Sequence, residues 1–158
     1  MANTQSMCTS FMGELLTATH NFGTAPTRGT AAADTFKAAL YLTSATINAA
    51  TTVYTTSGEV SGTNYTPGGV TVTNATPPAS TNSSATAGVA YWTPSASITY
   101  ANVTLSTAFD CVLVYNSTQS DKAVSVHTFG SQTVTAGTFT LTMPSNTTST
   151  ALLRLATT

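Results

Sequence analysis

The chain has 158 residues, of which 41% are apolar, and its four basic and five acidic residues give a net charge of −1. This length and apolar content suit one domain with a hydrophobic core. They exclude intrinsic disorder, which combines low hydrophobicity with high net charge. The four scattered basic residues cannot neutralise a run of phosphates, and no apolar run approaches the ~20 residues of a membrane span. We therefore expect neither a nucleic-acid partner nor a membrane.

The charged fraction of the chain is only 6%, whereas ordinary globular proteins carry about 25%. Threonine and serine replace the missing charge. Threonine is β-branched, and its restricted side chain suits a pleated surface better than a helix. A net charge near zero also favours association. The composition thus predicts a β-rich protein that functions packed against neighbours.

One helical pattern begins the chain, over residues 5–19, and Gly23 is a plausible stop. Its apolar side chains recur every fourth residue in two rows, Met7/Phe11/Leu15 and Cys8/Met12/Leu16. Such a stripe either covers the open end of the β-domain or docks on a neighbouring subunit. We predict an N-terminal helical arm at 1–23, with Met7, Phe11 and Leu15 as candidate interface residues.

Strand-like patterns follow. Alternation over 34–43 (DTFKAALYLT) predicts a strand, although its alanines would also suit a short helix, and Val70 and Val72 alternate with threonines. Residues 43–69 are rich in turn formers and end in Pro-Gly-Gly. The segment 74–88, with few large side chains, predicts an exposed low-complexity loop. Six further strand patterns come at short spacing, over residues 89–93, 97–105, 109–115, 123–129, 138–143 and 151–155.

About eight short strands separated by turns indicate a sandwich or barrel. We therefore predict an all-β fold. In this fold, an antiparallel β-sandwich of jelly-roll or Greek-key type spans 24–158 and is preceded by one short α-helix.

The residues that could carry chemistry are few and dispersed. The two cysteines, Cys8 and Cys111, are predicted to be buried reduced thiols, because the N-terminus lacks the features of an export signal. Neither His20 nor His127 has a ligand partner at metal-binding spacing, so we expect both to be half-exposed on a helix end or strand. His127 could be combined with Asp110 or Asp121 and a serine, but no nucleophile signature is present.

The five carboxylates are far apart in sequence, although a fold could join them: Glu14, Asp34, Glu59, Asp110 and Asp121. We predict no enzyme activity, no catalytic residue, no metal, no cofactor and no small-molecule substrate.

Three segments carry a resemblance: DTFKAALYLTSATI (34–47), VYTTSGEVSGTNYTPGGVTV (53–72) and VLVYNSTQSDKAVSVHTFGSQTVTAGTFTLTMP (112–144). In combination they resemble a family of small structural proteins of tailed bacteriophages, described as capsid cement, head decoration or tail-associated. The resemblance spans roughly residues 4–155 and implies a virion protein without catalytic residues. The 74–88 loop is longer than we expect for that family.

Resemblance and composition together predict a capsid cement or decoration protein that binds the outside of the capsid lattice and stabilises it. The expected partners are the major capsid protein and copies of the chain itself, as a homo-oligomer made in the host cytoplasm. One alternative is a tail- or neck-associated protein of the same phage class. A second is a secreted carbohydrate-binding or adhesive β-domain, whose aromatic platform would come from Tyr91, Trp92 and Tyr100.

Overall fold

The computed structural model describes residues 3–16, 18–22, 33–75, 77–81 and 88–156. Within these ranges the chain is mostly antiparallel β-structure in two sheets, which confirms the all-β prediction. The elements are β1 (Ser6–Met7), α1 (Thr9–Leu16), β2 (Phe36–Leu42), β3 (Val70–Thr71), β4 (Ala79–Ser80), β5 (Val89–Trp92), β6 (Ile98–Asn116), β7 (Lys122–Leu141) and β8 (Leu153–Ala156).

The larger sheet has the strand order β1-β7-β6-β2-β3, and the smaller has the order β4-β5-β8. Strand β2 lies inside the larger sheet and is buried on both faces. Phe36 and Leu40 point to one face and Ala39 and Tyr41 to the other, and all four are 0% exposed. The strand predicted at 34–43 is therefore confirmed, and its two-sided burial explains why apolar residues occupy both sets of alternating positions.

The centre of the larger sheet is a hairpin of two long strands. Sequence patterns predict four short strands at 97–105, 109–115, 123–129 and 138–143, but these merge into β6 and β7, of 19 and 20 residues. The hairpin-like connector predicted at 116–122 forms the turn, where Asn116 pairs with Lys122. Between the short patterns the pairing continues through register shifts. β-Bulges accommodate the glycine and other small residues that the sequence patterns suggested as turns. An extra residue in one strand of a pair bends that strand without ending it.

The N-terminal helix is shorter than its pattern. It covers Thr9–Leu16 rather than 5–19, because Ser6 and Met7 form β1 and pair with Val126 and Ser125 of β7. The edge of β7 offers unpaired backbone groups there, and satisfying them outweighs helical propensity. Two residues of the helical region, Cys8 and Phe11, belong to the same buried cluster as the strands. Docking of 1–23 on a neighbouring subunit stays a prediction.

Both cysteines are buried and unpaired, as predicted. Burial raises the pKa of Cys8 to about 11 and that of Cys111 to about 12. Thiols with such pKa values stay protonated at neutral pH and behave as small apolar groups.

The segment predicted as a loop at 74–88 is described only in part. Ala79 and Ser80 form β4 and pair with Tyr91 and Ala90 of β5, while residues 76 and 82–87 lie outside the described residues. The neighbouring Pro77 and Pro78 are exposed.

Parts of the turn-rich segment 43–69 are joined to one another by one carboxylate, that of Glu59. The Tyr54 and Tyr65 hydroxyls donate hydrogen bonds to Glu59 at 2.6 and 2.7 Å, and the Gly68 backbone N–H donates a third at 2.7 Å. At the end of this segment Gly69 has a φ of +72°, and a Cβ there would lie 1.7 Å from the Ala38 carbonyl oxygen. Only glycine lets the backbone approach β2 so closely.

Replacing Gly69 with alanine should therefore destabilise the fold by about 3 kcal/mol or more, because both the positive φ and the backbone clash oppose a side chain. Gly130→Ala is the matched control, since a Cβ at Gly130 meets nothing within 4 Å. Urea unfolding followed by circular dichroism would measure both. Equal stability of the two variants would contradict this account of Gly69.

Candidate functional site

A cleft of about 410 Å³ separates the N-terminal region from the smaller sheet. One wall carries Met7 of β1 with Phe11 and Leu15 of α1. The opposite wall is formed by strands β5 and β8, with Pro77 and Pro78 at its border. The volume lies in the range typical of small-molecule ligand sites.

The sheet wall is apolar because of its register. Ala90 pairs with Leu155, and Trp92 pairs with Leu153. Directly paired residues in an antiparallel sheet share a face, so these four side chains point the same way, towards the cleft. The pair between them, Tyr91 and Arg154, lies on the other face. Tyr91 still borders the cleft, but Arg154, the charged residue of β8, does not line it.

The indole of Trp92 is fixed by polar contacts behind the cleft. Its Nε1–H donates to Asn74 Oδ1 at 2.9 Å, and Asn74 Nδ2 donates to the Phe22 carbonyl oxygen at 2.8 Å. The Phe22 ring stacks on Phe36 of β2, with centroids 4.3 Å apart. The smaller sheet is thus connected to the larger one through aromatic contacts.

All three candidate interface residues line this cleft. Phe11 is 2% exposed, whereas Met7 and Leu15 are partly buried. Their role in binding a partner stays a prediction. On the opposite wall, the sequence singled out Tyr91 and Trp92 only as candidates for an aromatic platform, and it did not single out Leu153 or Leu155. Leu155 is 42% exposed, one of three large apolar side chains so exposed among the described residues; the others are Met12 and Val53.

A polar network lies beneath the α1 wall. Glu14 of α1 contacts Lys122 Nζ at 2.6 Å and His20 Nε2 at 2.8 Å. His20 Nδ1 lies 3.0 Å from Asn116 Nδ2, which also donates to Asp34 Oδ2 at 2.7 Å. The network therefore joins α1, the residues after it, the approach to β2 and the β6–β7 turn.

The orientation of Asn116 determines the tautomer of His20. Asn116 Oδ1 accepts from the backbone N–H groups of Thr118 and Gln119, so its nitrogen must face Asp34 and His20. His20 Nδ1 is then the acceptor, and its Nε2–H donates to Glu14. His20 is 8% exposed, so the expectation of a half-exposed histidine is wrong at this position. Its burial follows from these long-range partners.

Glu14 is ionised within this network. Burial acts to raise the pKa of its carboxyl, but hydrogen bonds from Lys122 and His20 and the charge of Lys122 outweigh burial and lower the pKa below its usual value. Its contribution to stability is therefore present above the ordinary pKa of a glutamate and is lost as the pH falls below it.

The second histidine forms a serine–histidine pair. His127 Nε2 lies 2.9 Å from Ser125 Oγ, and Ser125 is 1% exposed. A hydroxyl buried to this extent is inaccessible to a substrate in this conformation. His127 itself is partly buried, as expected from the sequence.

The aromatic residues considered as a sugar-binding platform are mostly buried. Trp92 and Tyr100 are 3% and 2% exposed, so they cannot form an exposed sugar-binding platform with Tyr91. In the described part of the chain, no three His, Cys, Asp or Glu side chains gather as metal ligands do. No helix there is long and apolar enough to cross a membrane.

Comparison of the chain with models of protein families, with curated proteins and with solved structures found no match.

Burial of His127 generates a pH dependence. Burial lowers its pKa to about 4 from an ordinary 6.5, because the imidazolium is poorly solvated. Between these values the unfolded chain binds a proton that the folded chain does not, so stability falls as the pH falls from 6.5 to 4. The loss should reach up to about 3 kcal/mol, at ~1.4 kcal/mol per pH unit.

The His127→Gln variant should not show this loss of stability between pH 6.5 and 4. The Thr128→Gln variant, changed at the exposed neighbouring position, should still show it. Urea unfolding at pH 7, 5.5 and 4 would measure the difference. Parallel curves for wild type and His127→Gln would show that His127 is not responsible.

Proposed function

We propose that this chain is a virion structural protein of a tailed bacteriophage, a capsid cement or decoration protein that binds the outside of the shell and stabilises it. The observation that carries the proposal is the apolar cleft, whose lining contains no Lys, Arg, Asp or Glu. Interface cores are depleted in charge in the same way. The sequence resemblance to small phage structural proteins points to the same role.

The composition supports attachment by neutral contacts. With nine charged residues in the chain, few ion pairs can form with a partner. At least three of those residues (Glu14, Lys122 and Asp34) are already bonded within the subunit. Many weak apolar contacts, repeated over a symmetric lattice, add up to firm attachment through avidity.

The proposal includes the architecture and the assembly. The two sheets are taken as parts of an antiparallel sandwich of jelly-roll or Greek-key type, supported by the aromatic contacts between them.

The partners are the major capsid protein and further copies of the chain. Copy number in purified virions separates this role from a tail or neck position. A number comparable to that of the major capsid protein supports cement, and a handful per particle supports the alternative.

Attachment to the shell should resist salt. Raising the salt from dilute buffer to about 1 M reduces the Debye length to ~3 Å and screens exposed ion pairs, which are worth only ~0–1 kcal/mol each. Co-sedimentation of the protein with particles should therefore change little across this range. Release by salt alone would show that charged contacts hold the protein on the shell.

A charge placed in the cleft should weaken attachment. Leu15→Asp would bury an unpaired carboxylate at the contact, and we expect particle affinity to fall by at least about tenfold. Met12→Asp is the matched control on the same helix, because Met12 is 50% exposed and does not line the cleft. Thermal unfolding must show that both variants fold. Unchanged attachment of folded Leu15→Asp would exclude the cleft as the contact.

A further inference from the structure

Strand β8 ends the smaller sheet with an unpaired edge. It pairs with β5 through Leu153–Ala156 and has no strand on its other side among the described residues. Exposed edges of this kind are templates for another strand, and proteins commonly protect them with charge, proline or a covering segment. On β8 Arg154 is the charged residue, and its Nε donates to the Thr148 carbonyl oxygen at 2.6 Å.

The free edge adjoins the apolar cleft. Leu153 and Leu155 both belong to β8 and both line the cleft. A strand added beside β8 would place every second side chain on the face that carries these leucines. Those side chains would therefore point to the side on which Met7, Phe11 and Leu15 form the opposite wall.

We propose that β8 and the cleft together form a strand-addition site for an extended, uncharged peptide segment with apolar side chains at alternate positions. The segment's backbone hydrogen-bonds to the edge of β8, and its apolar side chains enter the cleft. This is recognition by β-augmentation, in which main-chain bonds give affinity and pockets for alternate side chains give specificity. The assignment of the segment to the shell subunit rests on the proposed function.

Charge complementarity defines the occupant. The cleft lining carries no charged side chain. Of its polar side chains, His20 and Asn21 are buried, the Trp92 indole donates to Asn74, and Tyr91 is partly buried. His20 is already bonded to Glu14 and Asn116. A lysine or glutamate entering the cleft would lose hydration without meeting an opposite charge, which strongly disfavours its burial. An apolar side chain would bury surface against Leu153, Leu155 and Leu15 at no such cost.

The test uses the full chain and a defined probe, an end-blocked heptapeptide of alternating threonine and leucine with a fluorophore on a spacer. Fluorescence anisotropy should show saturable binding, and lysine in place of the probe's leucines should abolish it. Leu155→Asp should weaken binding by at least about tenfold. Val53→Asp is the control, because Val53 is 47% exposed and does not line the cleft.

Backbone pairing is tested on the probe itself. N-methylation removes N–H donors, and alternate residues of a strand direct their N–H groups to opposite sides. Methylating either all leucines or all threonines should therefore abolish binding in one of the two probes and leave it nearly unchanged in the other. Equal effects of the two patterns would contradict strand addition.

Three other outcomes would overturn the proposal, change its occupant or separate it from the proposed function. Absence of saturable binding, or equal binding to wild type and Leu155→Asp, would overturn the proposal. Dimerisation of the chain that the probe disrupts and Leu155→Asp abolishes would replace the shell segment by a second copy as occupant. Particle co-sedimentation is scored separately. If the probe binds as expected but the protein does not attach to particles, the proposed function fails and the strand-addition site stands.

Discussion

The placement of α1 depends on one buried polar network. Asn116 connects His20 to Asp34, and His20 connects Asn116 to Glu14, whose carboxylate is also bound by Lys122. Each of these groups would be costly to bury without its partners. Together they hold the helix and the residues after it against the β6–β7 turn. Phe11 and Leu15 are thereby held on one wall of the cleft.

The small number of charges gives this network its importance. Charges that bond within the subunit stabilise the helix, and the cleft above them is lined by uncharged side chains. A chain with a net charge of −1 has little electrostatic repulsion between copies. The same composition is compatible with the proposed assembly, whose contacts would rest on apolar burial and backbone hydrogen bonds. In the proposed strand-addition site, β8 and its leucines would supply both kinds of contact at one place.

Local pattern was sufficient for part of this fold. Alternation in 34–43 predicted β2, the polar connector at 116–122 predicted the hairpin turn, and helical spacing placed Phe11 and Leu15 on one surface. Met7 lines the same cleft from β1, outside the helix that the spacing predicted. Non-local pairing was not predictable: β1 replaces the first helical turn because β7 offers an edge there. His20 and Asn116 are 96 positions apart. Nothing in the neighbouring sequence shows that Trp92 pairs with Leu153, or that the buried Tyr100 hydroxyl donates a hydrogen bond to the Ala38 carbonyl oxygen.

The most direct test of this account is backbone amide hydrogen exchange in Asn116→Ala, compared with wild type. Removing the amide takes a buried hydrogen-bond donor away from Asp34 Oδ2 and from His20 Nδ1, so we expect α1 to lose its attachment before the sheet does. Exchange of the Thr9–Leu16 amides should accelerate much more than that of the β2 amides, which are buried on both faces. Unchanged protection of α1, or equal acceleration in α1 and β2, would contradict the claim that this network holds the cleft wall in place.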